Sequence, residues 1–146
     1  MSASNAFETA LLNLIFNNTA LANVGDSSGL QPSGTAGSFY ISLHTADPGE
    51  TGTQTTSESA YTSYARVAVA RSSGGFTVSG GTATNAAAVT FPKCTGSTST
   101  VTHFGVGSAS TGTGNLFITG ALSSSLAVSN NITPEFAAGD LDVSVD

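Results

Sequence analysis

The chain has 146 residues, with nine acids against three basic residues (Arg66, Arg71 and Lys93), for a formal net charge of −6. Only 8% of its residues are charged, against about 25% in an ordinary soluble domain, and 22 Ser, 21 Thr and 17 Gly supply the polar surface instead. Affinity for nucleic acid scales with the Lys and Arg that neutralise phosphates, so this composition argues against a nucleic-acid partner. No apolar run reaches the roughly 18 residues of a transmembrane helix, and nothing near residue 1 has the basic leader and apolar stretch of a secretory signal.

The length suits one domain able to bury a core without disulfides or metal. Cys94 has no CxxC or Cys/His spacing around it and reads as a small buried hydrophobe. A hydroxyl-rich surface repels its neighbours weakly. The composition therefore points to a structural or adhesive protein before an enzyme, with part of its apolar surface buried between subunits.

Residues 5–21 predict the one helix, with Asn17-Asn18 before β-branched Thr19 as its end. Phe7, Leu11, Leu14, Ile15 and Leu21 recur at helical spacing, and Asn5 with Glu8 three positions on has the form of a capping box. Leu12 and Phe16 widen the apolar stripe beyond what one small sheet needs, so the helix is expected to be clamped between two surfaces or docked on another chain. Residues 22–37 read as a Gly/Ser/Pro linker or long loop.

Eight strands are expected after that. Residues 39–44 alternate, with Phe39, Ile41 and Leu43 on one face and Tyr40, Ser42 and His44 on the other. Residues 45–60 read as a polar loop unable to pack a core. Strands follow at 61–71, 76–79, 82–91, 100–106, 115–119, 126–129 and 141–145, separated by Gly/Ser turns. Short strands without βαβ alternation predict a mainly β fold, an antiparallel β-sandwich or jelly-roll-like barrel with one N-terminal α-helix. The organisation expected is an arm at 1–21, a linker at 22–37 and a β-sandwich domain at 38–146. Strands with so few charged gatekeepers also invite pairing with other chains.

Motifs that carry chemistry are weak. Gly25-Asp26-Ser27-Ser28-Gly29 matches the G-x-S-x-G pattern of serine hydrolases, but it lacks the strand before it and the helix after it that would raise the serine. Asp47 to Glu58 has acid, glycine and glutamate at the spacings of a calcium loop, yet Gly49 and Thr51 occupy ligand positions, so a solvated surface loop is expected. His44 with Asp47 and Glu50 makes only a loose metal constellation, and His103 reads as a half-buried packing residue. Arg66 and Arg71 are expected to pair with acids, since Arg forms planar bidentate bonds with carboxylates, or else to reach another subunit. No catalytic, cofactor-binding or metal-binding residue is assigned.

The segment Phe39 to Arg71, FYISLHTADPGETGTQTTSESAYTSYARVAVAR, resembles a family of small virion proteins of tailed bacteriophages. The likeness continues through AAAVTFP at Ala86 to Pro92 and VTHFGVG at Val101 to Gly107. The shared motifs are structural, so the resemblance implies a virion structural protein, made in the host cytoplasm, with no active-site residue to carry over. Such proteins are often labelled tail fibres.

Size, low charge and the broad helix favour a capsid decoration (cement) protein on the capsid surface. It would be a homotrimer bridging subunits of the major capsid protein, without cofactor, nucleic acid or membrane. The alternative is a tail fibre or tail-tip component in host attachment. Phe7, Leu11, Leu12, Ile15, Phe16, Arg66 and Arg71 are the residues expected at the protein interface.

Overall fold

The computed structural model describes residues 2–145. Strand accounts for 37% of the chain and helix for 9%, the sheets are antiparallel and none closes into a barrel, so the mainly β expectation holds with open sheets. The chain forms two compact units, each assembled from separate stretches of sequence. Unit 1 comprises Met1–Ser38, Ala70–Val89 and Phe136–Asp146, and unit 2 comprises Phe39–Val69 and Thr90–Glu135.

Unit 1 is a helix packed on a small sheet. Helix α1 spans Asn5–Asn17, and Ser4 caps it, its Oγ accepting the Phe7 N–H at 3.4 Å. The cap thus lies one residue before the expected Asn5. The helix stops at the Asn17-Asn18 step, as expected, so Leu21 lies beyond it: Asn18 turns left-handed (φ 51°) and the Thr19 N–H returns to the Asn13 carbonyl. A left-handed residue there satisfies end carbonyls that the helix leaves open.

Glu8, Leu12 and Phe16 form the buried stripe of α1, one residue per turn. The Phe16 ring meets that of Phe76 at 4.8 Å between centroids. Phe76 opens β3 (Phe76–Ser79), which pairs with β4 (Thr82–Asn85) across Gly80-Gly81, and both glycines have positive φ. Two successive positive-φ residues make the tight hairpin turn whose twist matches the strands. Strand β9 (Asp142–Ser144) completes a sheet of order β3-β4-β9. Asn85, 1% exposed, donates to the carbonyls of Ala87 and Ala137 and accepts the Leu141 N–H, fixing the approach to β9.

The 22–37 segment folds on itself rather than hanging free. Leu21 and Leu30 exchange backbone bonds, and Asn18 and Ser33 bond each other twice.

Unit 2 is built on a four-stranded sheet of order β2-β1-β6-β7, from β1 (Ser38–His44), β2 (Val67–Ala70), β6 (Ser99–Gly107) and β7 (Leu116–Val128). The expected strand at 61–71 survives only as β2, since Tyr64 and Arg66 turn instead to Glu58 and Tyr61 to the Pro92 carbonyl. The strands expected at 115–119 and 126–129 are the two ends of one strand, β7. Leu122–Ser125 form a hump between them, because Val101 pairs with Leu126 while His103 pairs with Ala121. The expected strand at 82–91 divides into β4 and the two-residue β5 (Val89–Thr90), and β8 (Glu135–Phe136) was not anticipated. Ile41, Leu43, Val101, Phe104, Val106 and Phe91 build the apolar core of the unit. Cys94 is fully buried, as expected, with Sγ directed at the Gly96 carbonyl.

Candidate functional site

Two of the polar side chains that the sequence marked as chemistry, His44 and Arg66, serve in unit 2 as internal fasteners. Loop 45–60, expected to be solvated, lies over the second face of β1, so that Ser42 and His44 are both 0% exposed. Its Gln54 is equally buried: its amide donates to the Tyr40 carbonyl and accepts the Ala109 N–H at 2.9 Å. A methyl group at Gly107 or Gly114 would collide with that amide, so these two glycines are the slot into which Gln54 fits.

His44 donates from Nδ1 to the Thr56 carbonyl at 2.8 Å, which leaves Nε2 to accept the Ser42 hydroxyl at 2.8 Å. Burial holds the imidazole below its usual pKa, with the Thr56 bond as a smaller opposing effect. Serine, histidine and a carbonyl thus stand in the order of a nucleophile, its base and the group that orients it. No face of the pair is open to a substrate.

Arg66 closes the same loop. Its Nε and Nη2 bind Glu58 Oε1 and Oε2 at 2.7 and 2.8 Å, while Nη1 and Nη2 reach the carbonyls of Ala109 and Gly112. The Tyr64 hydroxyl donates to Glu58 Oε1 and accepts the Leu43 N–H. The Glu58 hydrogen bond raises the Arg66 pKa, and burial drives the Tyr64 phenol well above its ordinary range. Tyr61, 2% exposed and bonded to the Pro92 carbonyl, is pushed up to about 12 by burial. Glu58 is therefore engaged with a guanidinium rather than facing a cation site. Among the described residues no three His, Cys, Asp or Glu side chains gather to hold a metal.

Arg71 acts in unit 1. Nε and Nη2 bond the carbonyls of Ile15 and Leu14, and Nη1 reaches Ala36 O and Ser33 Oγ. A cation at the C-terminal end of a helix opposes the negative pole of its dipole, and α1 has no basic residue of its own in its last turn.

Among the helix residues expected at an interface, Leu12 and Phe16 are fully buried, Leu11 and Ile15 half-buried, and Phe7 is 46% exposed. The Gly25–Gly29 motif is a hairpin turn in which Asp26 Oδ1 accepts the N–H groups of Ser28 and Gly29. It lacks the nucleophile-bearing bend. His103 is half-buried, with Nδ1 against Thr102 Oγ1.

The fastener network was legible only in part. Arg66 with an acid partner was expected, whereas Gln54, Ser42 and Tyr64 were not. Glycines at 105 and 107 inside a strand were the available signal, since a strand glycine often marks close approach by another group.

Unit 2 also presents a surface cleft. Asp47, Gly49 and Glu50 from the loop and Leu116–Thr119 of β7 line a cleft of about 340 Å³. Phe117 beside it is 54% exposed and contacts Phe39 edge-on at 5.9 Å.

A small antiparallel β protein with polar side chains that lock loops internally, and with an open strand edge beside a cleft, has the features of a structural or binding protein. The chain matches the family described as podophage GP4 fiber I protein gp80 over residues 2–144 and belongs to that family. It is a bacteriophage virion structural protein of fibre type. No curated protein matches it.

Proposed function

We propose that this protein is a component of the phage tail fibre apparatus, placed at the tail and contributing to host attachment. The family match across residues 2–144 carries the reading. The buried fasteners support it, because a fibre component must keep its loops in place while its outer surface meets other molecules. Much of the breadth of α1 that would suit a capsid clamp is spent inside unit 1 on Leu12 and Phe16. With Tyr61 buried and the Tyr64 hydroxyl engaged, Phe117 is the better placed aromatic for an external contact.

Immunogold labelling of intact virions with antibody to this chain tests the placement. Gold at the tail is the expected result. Gold distributed over the head overturns it in favour of a cement protein bridging capsid subunits, in which case hundreds of copies per virion are expected rather than a handful.

A further inference from the structure

The outer edge of β7 is open. Strand β7 ends the sheet order, and none of its backbone groups bonds any described residue other than its neighbour β6. Two features frame the open stretch. The bridge between Thr53 and Asn115 closes it at one end, and the Leu122–Ser125 hump closes it at the other. Leu116–Ala121 remain, about 20 Å of extended backbone at the usual rise per residue. Four consecutive residues of that run line the 340 Å³ cleft. Side chains alternate across a strand, so a cleft touching four in succession runs along the strand's edge.

The opposite wall carries Asp47 and Glu50. Asp47 Oδ1 accepts the Gly49 N–H, Glu50 makes no side-chain bond to any described residue, and both are exposed. Among the described residues no ion pair joins either carboxylate to a basic side chain. The edge thus offers a ladder of backbone donors and acceptors, an apolar ring in Phe117 and a rim of negative charge.

We propose that Leu116–Ala121 is a docking edge for an extended, basic segment of a different protein, added as a further strand with its Lys or Arg side chains toward Asp47 and Glu50. Main-chain pairing supplies affinity in this mode and flanking side chains supply selectivity. A second copy of the chain is the poorer occupant. Pairing of β7 with β7 about a twofold axis would bring four carboxylates to one seam in a protein of net charge −6, and like charges facing each other across strands destabilise the pair. The inference rests on the edge and its rim and is independent of where on the virion the protein sits.

The test is an NMR titration of the intact chain with a blocked eight-residue peptide alternating valine and lysine. Its controls are the valine–glutamate peptide and a lysine peptide N-methylated at alternate amides. Shifts should concentrate on the amides of 116–121, with at least about tenfold tighter binding than either control. Asp47→Asn with Glu50→Gln should weaken binding about fivefold while leaving the spectrum of the free protein otherwise unchanged. Shifts centred elsewhere, equal binding of the glutamate peptide, or no response to the double variant would overturn the proposal. So would protection of the 116–121 amides that grows with protein concentration in the absence of peptide, since that outcome assigns the edge to a second copy.

Discussion

The two units solve the same problem with different materials. Unit 1 relies mainly on rings and aliphatic groups, with Phe16 against Phe76, and has one buried amide, Asn85, tying the approach to β9. Unit 2 adds to its apolar core a set of buried polar fasteners: Gln54 in its glycine slot, His44 between Ser42 and Thr56, and Glu58 between Arg66 and Tyr64. Each unit uses one of the chain's two arginines, and uses it differently. Arg71 quiets the carbonyl end of a helix, whereas Arg66 joins a loop, a tyrosine and two further carbonyls. In a chain with little charge, a guanidinium is placed where several acceptors converge. That makes it a local organiser of backbone rather than a surface ornament.

Spectroscopy distinguishes the units. Tyr40, Tyr61 and Tyr64 all lie in unit 2 and the chain has no tryptophan, while α1 in unit 1 is the one helix among the described residues. Urea unfolding followed by tyrosine fluorescence reports unit 2, whereas ellipticity at 222 nm is weighted toward α1 of unit 1 over a background from the strands of both units.

The largest effect is expected for Phe16→Ala, about 3–5 kcal/mol of stability lost through the missing ring and the cavity it leaves. It should appear first in the ellipticity curve. Coincident displacement of both curves by the same amount would mean that the units unfold as one.

Arg66→Ala should follow at about 3 kcal/mol, near the low end for breaking a shielded ion pair, since Glu58 keeps some exposure. The tyrosine curve is the one that should move. A loss below about 1 kcal/mol would reduce the clamp to an ordinary surface pair.

A smaller loss, about 1–2 kcal/mol, is expected for Arg71→Ala, from the helix dipole and the bonds to its terminal carbonyls. Here the ellipticity curve should respond, mirroring the Arg66 result in the other unit.

The mildest effect depends on pH. The pKa of folded His44 lies below the 6.5 of the free imidazole. As pH falls below 6.5, the unfolded chain therefore takes up a proton that the folded chain refuses. Stability drops by up to about 1.4 kcal/mol per pH unit until the lowered folded value is passed. Comparing urea midpoints at pH 7.5, 6.0 and 5.0 should show a steeper decline for the natural chain than for His44→Gln. Parallel declines would remove His44 from the account.

Local patterns were enough for much of this architecture. Phe39–His44, Phe76–Ser79 and the 100–106 region declare themselves as strands because alternation and β-branched residues are properties of neighbours in sequence. The span of α1 and its end at Asn17-Asn18 were legible for the same reason, whereas Ser4 takes the capping place expected of Asn5. The division of the chain was harder, since unit 1 gathers three stretches far apart in sequence.

Composition and periodicity alone determined a weakly charged, mainly β protein with one N-terminal helix, and the motifs placed it among phage virion proteins. Only the tertiary structure decided what the polar residues of loop 45–60 do. A glutamine, a histidine or an arginine is costly to bury unless partners await it. Those partners are backbone carbonyls and N–H groups, which every residue carries alike, so no pattern of side chains announces where they will converge.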